Sequence, residues 1–240
     1  PNHINHQSPY EIWNGEQTPH QEVPARVENI LKALERTTHH LFPVSKKVPL
    51  KILKNIHSSR YVDFLSNYAE TIPDGEYRYP SVFSLHTQTR DRYKYPLTRL
   101  GYYSFDMYTP ITNATYQTAF DSASAAYQAA YDIKNNGIQT IFALCRPPGH
   151  HAEPDQMGGY CYFNNAGVAA DYLSQFGKVA TLDVDFHHGN GTQHIFYQRD
   201  DVLTVSIHAH PDWKFPHFSG YEDEIGEAKG KNYNFNIALN

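Results

Sequence analysis

Little in this 240-residue chain points toward disulfides, membranes or nucleic acid. Cys145 and Cys161 are its only cysteines. They form neither a C-x-x-C pair nor the dense spacing of a disulfide scaffold, so buried free thiols are expected. No apolar run approaches the roughly 18 residues that span a bilayer, and no charged-then-apolar segment of signal-peptide type opens the chain. The expectation is a cytoplasmic protein with no membrane partner. Lys and Arg number 20 against 25 Asp and Glu, a net charge of -5. A phosphate-binding surface needs a clustered basic excess, so nucleic acid is excluded as a partner. No internal repeat or low-complexity linker interrupts the sequence, and a single domain over 1–240 is the simplest partition.

What the chain does have is 40% apolar residues, enough for one large core, and an unusual 15 His, 19 Tyr and 13 Phe. Residues 24–35 put Val27, Ile30, Leu31 and Leu34 on one helical face, with Pro24 near the first turn. Ser58-Ser59 can cap a helix whose apolar positions are Tyr61, Val62, Phe64 and Leu65. Residues 72–113, rich in Pro, Tyr and Thr, carry no sustained period and read mainly as a long loop, a candidate dimer contact. An Ala-rich helix follows from about Thr115 to Lys134, ended by Asn135-Asn136-Gly137. Then strands and helices alternate: strands at Thr140–Leu144, Val179–Val184 and Val202–Ile207, and a helix near Asn165–Phe176. That order predicts an α/β fold in three layers, a mostly parallel central sheet with helices on both faces. The chain opens on Pro1 and stops at Asn240 directly after an alternating segment, Tyr233–Leu239. The expectation is a fragment of a longer domain.

Residues 181–193, TLDVDFHHGNGTQ, carry the strongest chemical signal. On a strand, alternate side chains share a face, so Asp183, Asp185 and His187 are predicted to point the same way. Two carboxylates on one face of a central strand are costly to bury without a cation or firm hydrogen bonds. Asp and His ligands suit Zn²⁺ or Fe²⁺; a polar strand end with a capping Asp and a solvated His pair explains the bare pattern equally well. Residues 145–165, CRPPGHHAEPDQMGGYCYFNN, follow another predicted strand. Pro147-Pro148-Gly149 makes a rigid turn that presents His150 and His151 side by side, and adjacent imidazoles suit proton transfer. An ordinary surface turn is the alternative. Gly158-Gly159 lets backbone approach a substrate closely.

The ordered motifs RPPGHHA (146–152), GGYCYFNN (158–165), LDVDFHHGNGTQ (182–193), VSIH (205–208) and FPHFSGYEDEIGEAKGK (215–231) resemble the histone deacetylase superfamily, which has the arginase/deacetylase fold. FPHFSGYEDEIG and the Tyr102-Tyr103 pair favour its acetylpolyamine amidohydrolase branch. The resemblance implies a Zn²⁺-dependent amidohydrolase acting on acetylated amines. Asp185 and His187 match two of three Zn²⁺ ligands. His151 matches the general base and His150 its electrostatic partner. Asp183 matches the carboxylate that orients His150, and Asn190 the residue that orients His151. Asp183, Ser206 and the carbonyls of Asp185, His187 and Ile207 match a structural K⁺ site. A second K⁺ site is implied at carbonyls near Phe196, Arg199, Val202 and Tyr233. Gly159 and Tyr160 match the walls of an acyl-amine tunnel. Homodimers are implied as well. Apart from the resemblance, Asp106 in SFDMYTP reads as a hydrogen-bond acceptor or an attractor of ammonium at the tunnel rim, with an ordinary solvated loop Asp as an equal alternative.

The family's third metal-binding Asp and its oxyanion-stabilising Tyr in a Gly-Gly-Tyr loop have no counterpart before Asn240. The expectation is that the whole protein is active and these residues alone feebly so or not at all. Within the enzyme class a protein-lysine deacetylase is the competing reading. A catalytically silent metal-binding or assembly module is the competitor from outside it.

Overall fold

The computed structural model describes residues 2–84 and 93–240. Residues 85–92, inside the predicted 72–113 loop, lie outside the described residues. Near the start of the chain stands a hairpin that was not foreseen. Strands β1 (Tyr10–Trp13) and β2 (Glu16–Pro19) pair antiparallel with Trp13 opposite Glu16. Asn14 and Gly15 both adopt positive φ, 49° and 83°, which is what an Asn-Gly turn of primed type needs and most residues resist.

Helix α1 (Ala25–Leu34) forms as predicted, although it buries only Val27 fully. Helix α2 (Leu50–Ile56) was not foreseen and buries Ile52, Leu53 and Ile56. Helix α3 (Ser59–Glu70) starts where expected, with Ser58 Oγ accepting from the Tyr61 N–H at 3.2 Å. Its inward face of Tyr61, Val62, Phe64, Leu65, Tyr68 and Ala69 repeats every three to four residues. Each such burial contributes about 1.5–3 kcal/mol, far above any propensity difference, so packing fixes this helix. Among its described residues the 72–113 stretch is irregular except for α4 (Pro96–Tyr102), a seven-residue helix with Pro at its first turn. A segment that short shows too little periodicity to be read from sequence.

Helix α5 (Thr115–Asn136) runs 22 residues and ends at Gly137, φ 68°. Its buried Ala119, Ala123, Ala126 and Ala130 form a flat stripe that lets α6 (Asn165–Ser174) pack close. Asn164 caps α6 by accepting from the Gly167 N–H at 2.8 Å. The core lies beneath these helices, around Leu53, Tyr61, Phe64, Leu65, Leu100, Ile111, Met157, Tyr162, Phe163 and Val168. Among the described residues no helix is long and apolar enough to cross a membrane.

Strand β3 (Val179–Asp183), helix α7 (Asn190–Phe196), and strands β4 (Val202–Ala209) and β5 (Asn234–Leu239) complete the chain. The sheet is parallel, as predicted, in the order β3-β4-β5, with Asp183 opposite Ser206 and Ser206 opposite Asn236. Helices α6 and α7 cover the face bearing Thr204, Ser206, Asn234 and Asn236. There the Gln193 carbonyl accepts from both Asn234 and Asn236 at 2.8 Å. The opposite face presents Leu182, Phe235, Ile237 and Leu239, all exposed.

The predicted strand at Thr140–Leu144 is not formed among the described residues. A strand exists through its ladder, and no described segment hydrogen-bonds this one; Phe142 is accordingly 69% exposed. Both cysteines are free, Cys161 buried and Cys145 only half-buried.

Candidate active site

The two histidines stand on a turn held from several sides. The Ala152 N–H donates to the Gly149 carbonyl at 3.0 Å, and the Thr192 N–H donates to the His150 carbonyl at 3.1 Å. Arg146, at the head of the turn, is buried against Glu22 with Nε–Oε1 at 2.8 Å and donates to the His6 carbonyl at 2.7 Å. The N-terminal segment therefore clamps the turn, a long-range role that nothing in residues 1–22 announces.

The rings of His150 and His151 lie 4.0 Å apart, centroid to centroid. His150 Nδ1 and Asp183 Oδ2 are 2.8 Å apart, and His151 Nδ1 donates to Asn190 Oδ1 at 2.7 Å. These are the partners expected from the resemblance. Their environments drive the two imidazoles apart. Burial lowers the affinity of His150 for a proton, but the hydrogen bond and charge of Asp183 outweigh it and raise its pKa. Burial, reinforced by the charge of His150, holds His151 well below the ordinary imidazole range. One ring is thus set to carry a proton and the other to accept one.

The sheet delivers the acidic residues to the same place, though not as a continuous strand. β3 ends at Asp183, and residues 184–189 form a loop. Each Asp bonds the N–H two residues ahead: Asp185 N to Asp183 Oδ1 at 3.0 Å, and His187 N to Asp185 Oδ1 at 2.9 Å. These Asx-type bonds replace the ladder and keep the alternate side chains together. Burial works against ionisation of both carboxyls. Hydrogen bonds and charge from His150 lower Asp183, and hydrogen bonds from His187, joined by the His150 charge, lower Asp185. Both are carboxylates at neutral pH.

Asp185 Oδ1 and His187 Nδ1 are 3.5 Å apart. Two ligands at about 2.0–2.1 Å from one tetrahedral ion are roughly 3.3 Å apart, so this pair fits a Zn²⁺-type donor set in chemistry and spacing. Among the described residues no third His, Cys, Asp or Glu joins them in a metal-holding group. The His187 ring faces His151 at 6.1 Å between centroids.

Phe215 packs edge-on against both, 4.9 Å from His151 and 6.0 Å from His187, and stacks 6.1 Å from Phe105. Neither phenylalanine was singled out from the sequence, where both sit in irregular stretches. Gly158 has the Phe105 ring, and Gly159 the His151 ring, where a Cβ would stand. Tyr160, the next residue, has φ 65°, donates its hydroxyl to Glu11 on β1 at 2.8 Å and packs edge-on against His20.

Asp106 is placed differently from its predicted rim position. It is buried, and its carboxylate accepts the N–H groups of Tyr108 (2.9 Å) and Gly159. Burial raises its pKa to about 6 against those hydrogen bonds. Asp106 braces the glycine turn. On the far side of Asp183, Ser206 lies across the β3–β4 register and its Oγ is 2.8 Å from His208 Nδ1.

The model of the histone deacetylase domain matches residues 20–240. This chain belongs to the histone deacetylase family. Its similarity to acetylpolyamine amidohydrolase 2 of Pseudomonas aeruginosa is 42% identity over 99% of this chain and 70% of the relative. To acetylpolyamine amidohydrolase 1 of the same organism it is 40%, over 95% and 68%. Among solved structures, the acetylpolyamine aminohydrolase from Burkholderia pseudomallei superposes with a TM-score of 0.92 at 32% identity, over 100% of this chain and 70% of that one. The α/β deacetylase fold expected from the sequence is therefore shared with a family member of known structure.

Proposed function

We propose that this protein is a Zn²⁺-dependent amidohydrolase that removes acetyl groups from acetylated polyamines or similar small acetylated amines. The observation that carries the reading is the convergence of two differently protonated imidazoles, His150 and His151, on the Asp185–His187 pair. The names of the relatives support the substrate class.

Asp185 and His187 would hold the ion, which supplies a Lewis acid that lowers the pKa of water and polarises an amide carbonyl. His151, neutral and with Nδ1–H committed to Asn190, offers Nε2 to take a proton from water. His150, kept charged by Asp183, stabilises developing negative charge and can return a proton to the departing amine. Phe105 and Phe215 exclude water around a thin alkyl chain. The same reading accepts Fe²⁺ as the metal. It puts K⁺ at Asp183, Ser206 and the carbonyls of Asp185, His187 and Ile207, supported by the Asp183–Ser206 register pairing. It also pairs two copies through residues 72–113.

Comparing turnover of acetylputrescine with that of an acetyl-lysine peptide by the full-length protein tests the substrate class. The reading expects preference for the polyamine; preference for the peptide overturns it.

A further inference from the structure

The hydrogen bonds of Asn190 do not end at His151. Asn190 Nδ2 donates to Glu153 Oε1, and the other oxygen of Glu153 is 2.5 Å from His194 Nδ1. Asn190 and His194 are four residues apart on α7, so one helical face offers an amide and an imidazole to a single carboxylate. Glu153 itself is firmly set: its N–H donates to the Gln156 carbonyl at 2.9 Å, and its carbonyl accepts from His57 Nδ1 at 2.8 Å. Its side chain is 12% exposed, against 45% for His194. Nothing in the reading of the site so far uses Glu153 or His194.

A primary amide has two ends of similar shape and opposite hydrogen-bonding character. Facing His151 with its oxygen, Asn190 requires the proton on Nδ1 and leaves the Nε2 lone pair free. Turned by half a rotation, it faces His151 with NH₂, moves the proton to Nε2 and removes the base. His151 alone cannot choose between these states, because a neutral imidazole satisfies either. A carboxylate has no proton to give, so only the first orientation pairs with Glu153. His194, whose pKa the hydrogen bond and charge of Glu153 raise against the effect of burial, keeps that carboxylate in place.

We infer that Glu153 is a positioning residue which, through the Asn190 amide and anchored by His194, fixes His151 in the tautomer that serves as a base. This role rests on the reading of His151 as the base, but the tautomer itself is measured without substrate.

Long-range ¹H–¹⁵N spectra of the histidines in the full-length protein report which ring nitrogen of His151 is protonated. Wild type is expected to show Nδ1–H alone, and Glu153→Ala a mixture of tautomers, with kcat down about 10–100-fold and KM within about twofold. Nδ1–H alone in Glu153→Ala overturns the inference whatever the enzyme acts on. A tautomer that depends on Glu153 in a protein that hydrolyses no acetylated amine leaves the inference standing and sinks the proposed function instead. Should Glu153→Ala fail to fold, the swap Glu153→Gln with Asn190→Asp decides. It reverses donor and acceptor at one contact while keeping an oxygen toward His151. The inference expects its kcat to exceed that of Asn190→Asp alone by about tenfold; no recovery overturns it.

Discussion

His150 and His151 are neighbours in sequence with rings 4.0 Å apart, and their protonation is driven in opposite directions by Asp183 on one side and by burial on the other. Asp183→Asn keeps the shape but takes away the charge that holds the proton on His150. Turnover of acetylputrescine is expected to fall about 100-fold or more, by analogy with loss of the carboxylate behind a catalytic imidazole. A loss below threefold would show that His150 does not depend on this partner.

Gly159 stands at φ 55° with the His151 ring where a Cβ would sit. Gly159→Ala must strain the backbone or displace the ring, and small displacements of a reacting group cost about 100-fold in rate. Steady-state kinetics are expected to show that loss in kcat, with a melting temperature only a few degrees lower. Wild-type kcat would mean that the ring has room that the structure does not show.

Phe215 touches both His151 and His187 by its ring edge yet carries no proton and no charge. In the proposed function its contribution is to enclose the substrate chain. Phe215→Ala is therefore expected to raise KM for acetylputrescine about tenfold and to change kcat less. An unchanged KM with a lower kcat would assign the ring to holding the histidines instead.

His57 is fully buried, with Nδ1 2.8 Å from the Glu153 carbonyl and Nε2 accepting from the Asn164 N–H at 2.9 Å. Burial lowers its pKa to about 4. Above pH 6.5 the ring is neutral in both states and adds no pH dependence. As pH falls from 6.5 toward 4 the unfolded chain takes up a proton that the folded chain refuses, so stability drops by roughly 2–3 kcal/mol. Urea melts at pH 7 and 4.5 are expected to show a drop smaller by that amount in His57→Gln. An equal drop in the two proteins would remove His57 from the acid response.

The long elements were legible because their signals are local. Helix α5 shows its period and its Gly137 stop, β3 and β4 read as apolar-rich runs between turns, and β5 as an alternating segment. Local motifs also named His150, His151, Asp183, Asp185, His187 and Asn190, which the fold does bring together. What escaped depends on partners far along the chain. Glu153 meets Asn190 across 37 positions and His194 across 41. Tyr160 meets Glu11 across 149. The burial of Asp106 could not be read locally, because one of its two backbone donors, Gly159, lies 53 positions away. The Thr140–Leu144 segment has the composition of a strand but no ladder among the described residues, and composition does not supply one. Only the β1–β2 hairpin had a local signal that was passed over, the Asn14-Gly15 pair.

The central claim is that one divalent ion sits where Asp185 and His187 converge, opposite the ring of His151. Anomalous scattering at the zinc edge from crystals of the full-length protein tests it directly. The account predicts a peak about 2.0–2.2 Å from an Asp185 oxygen and a His187 nitrogen, on the side of the loop that faces His151. A peak held by other residues, or none at these two in zinc-loaded crystals, would contradict it.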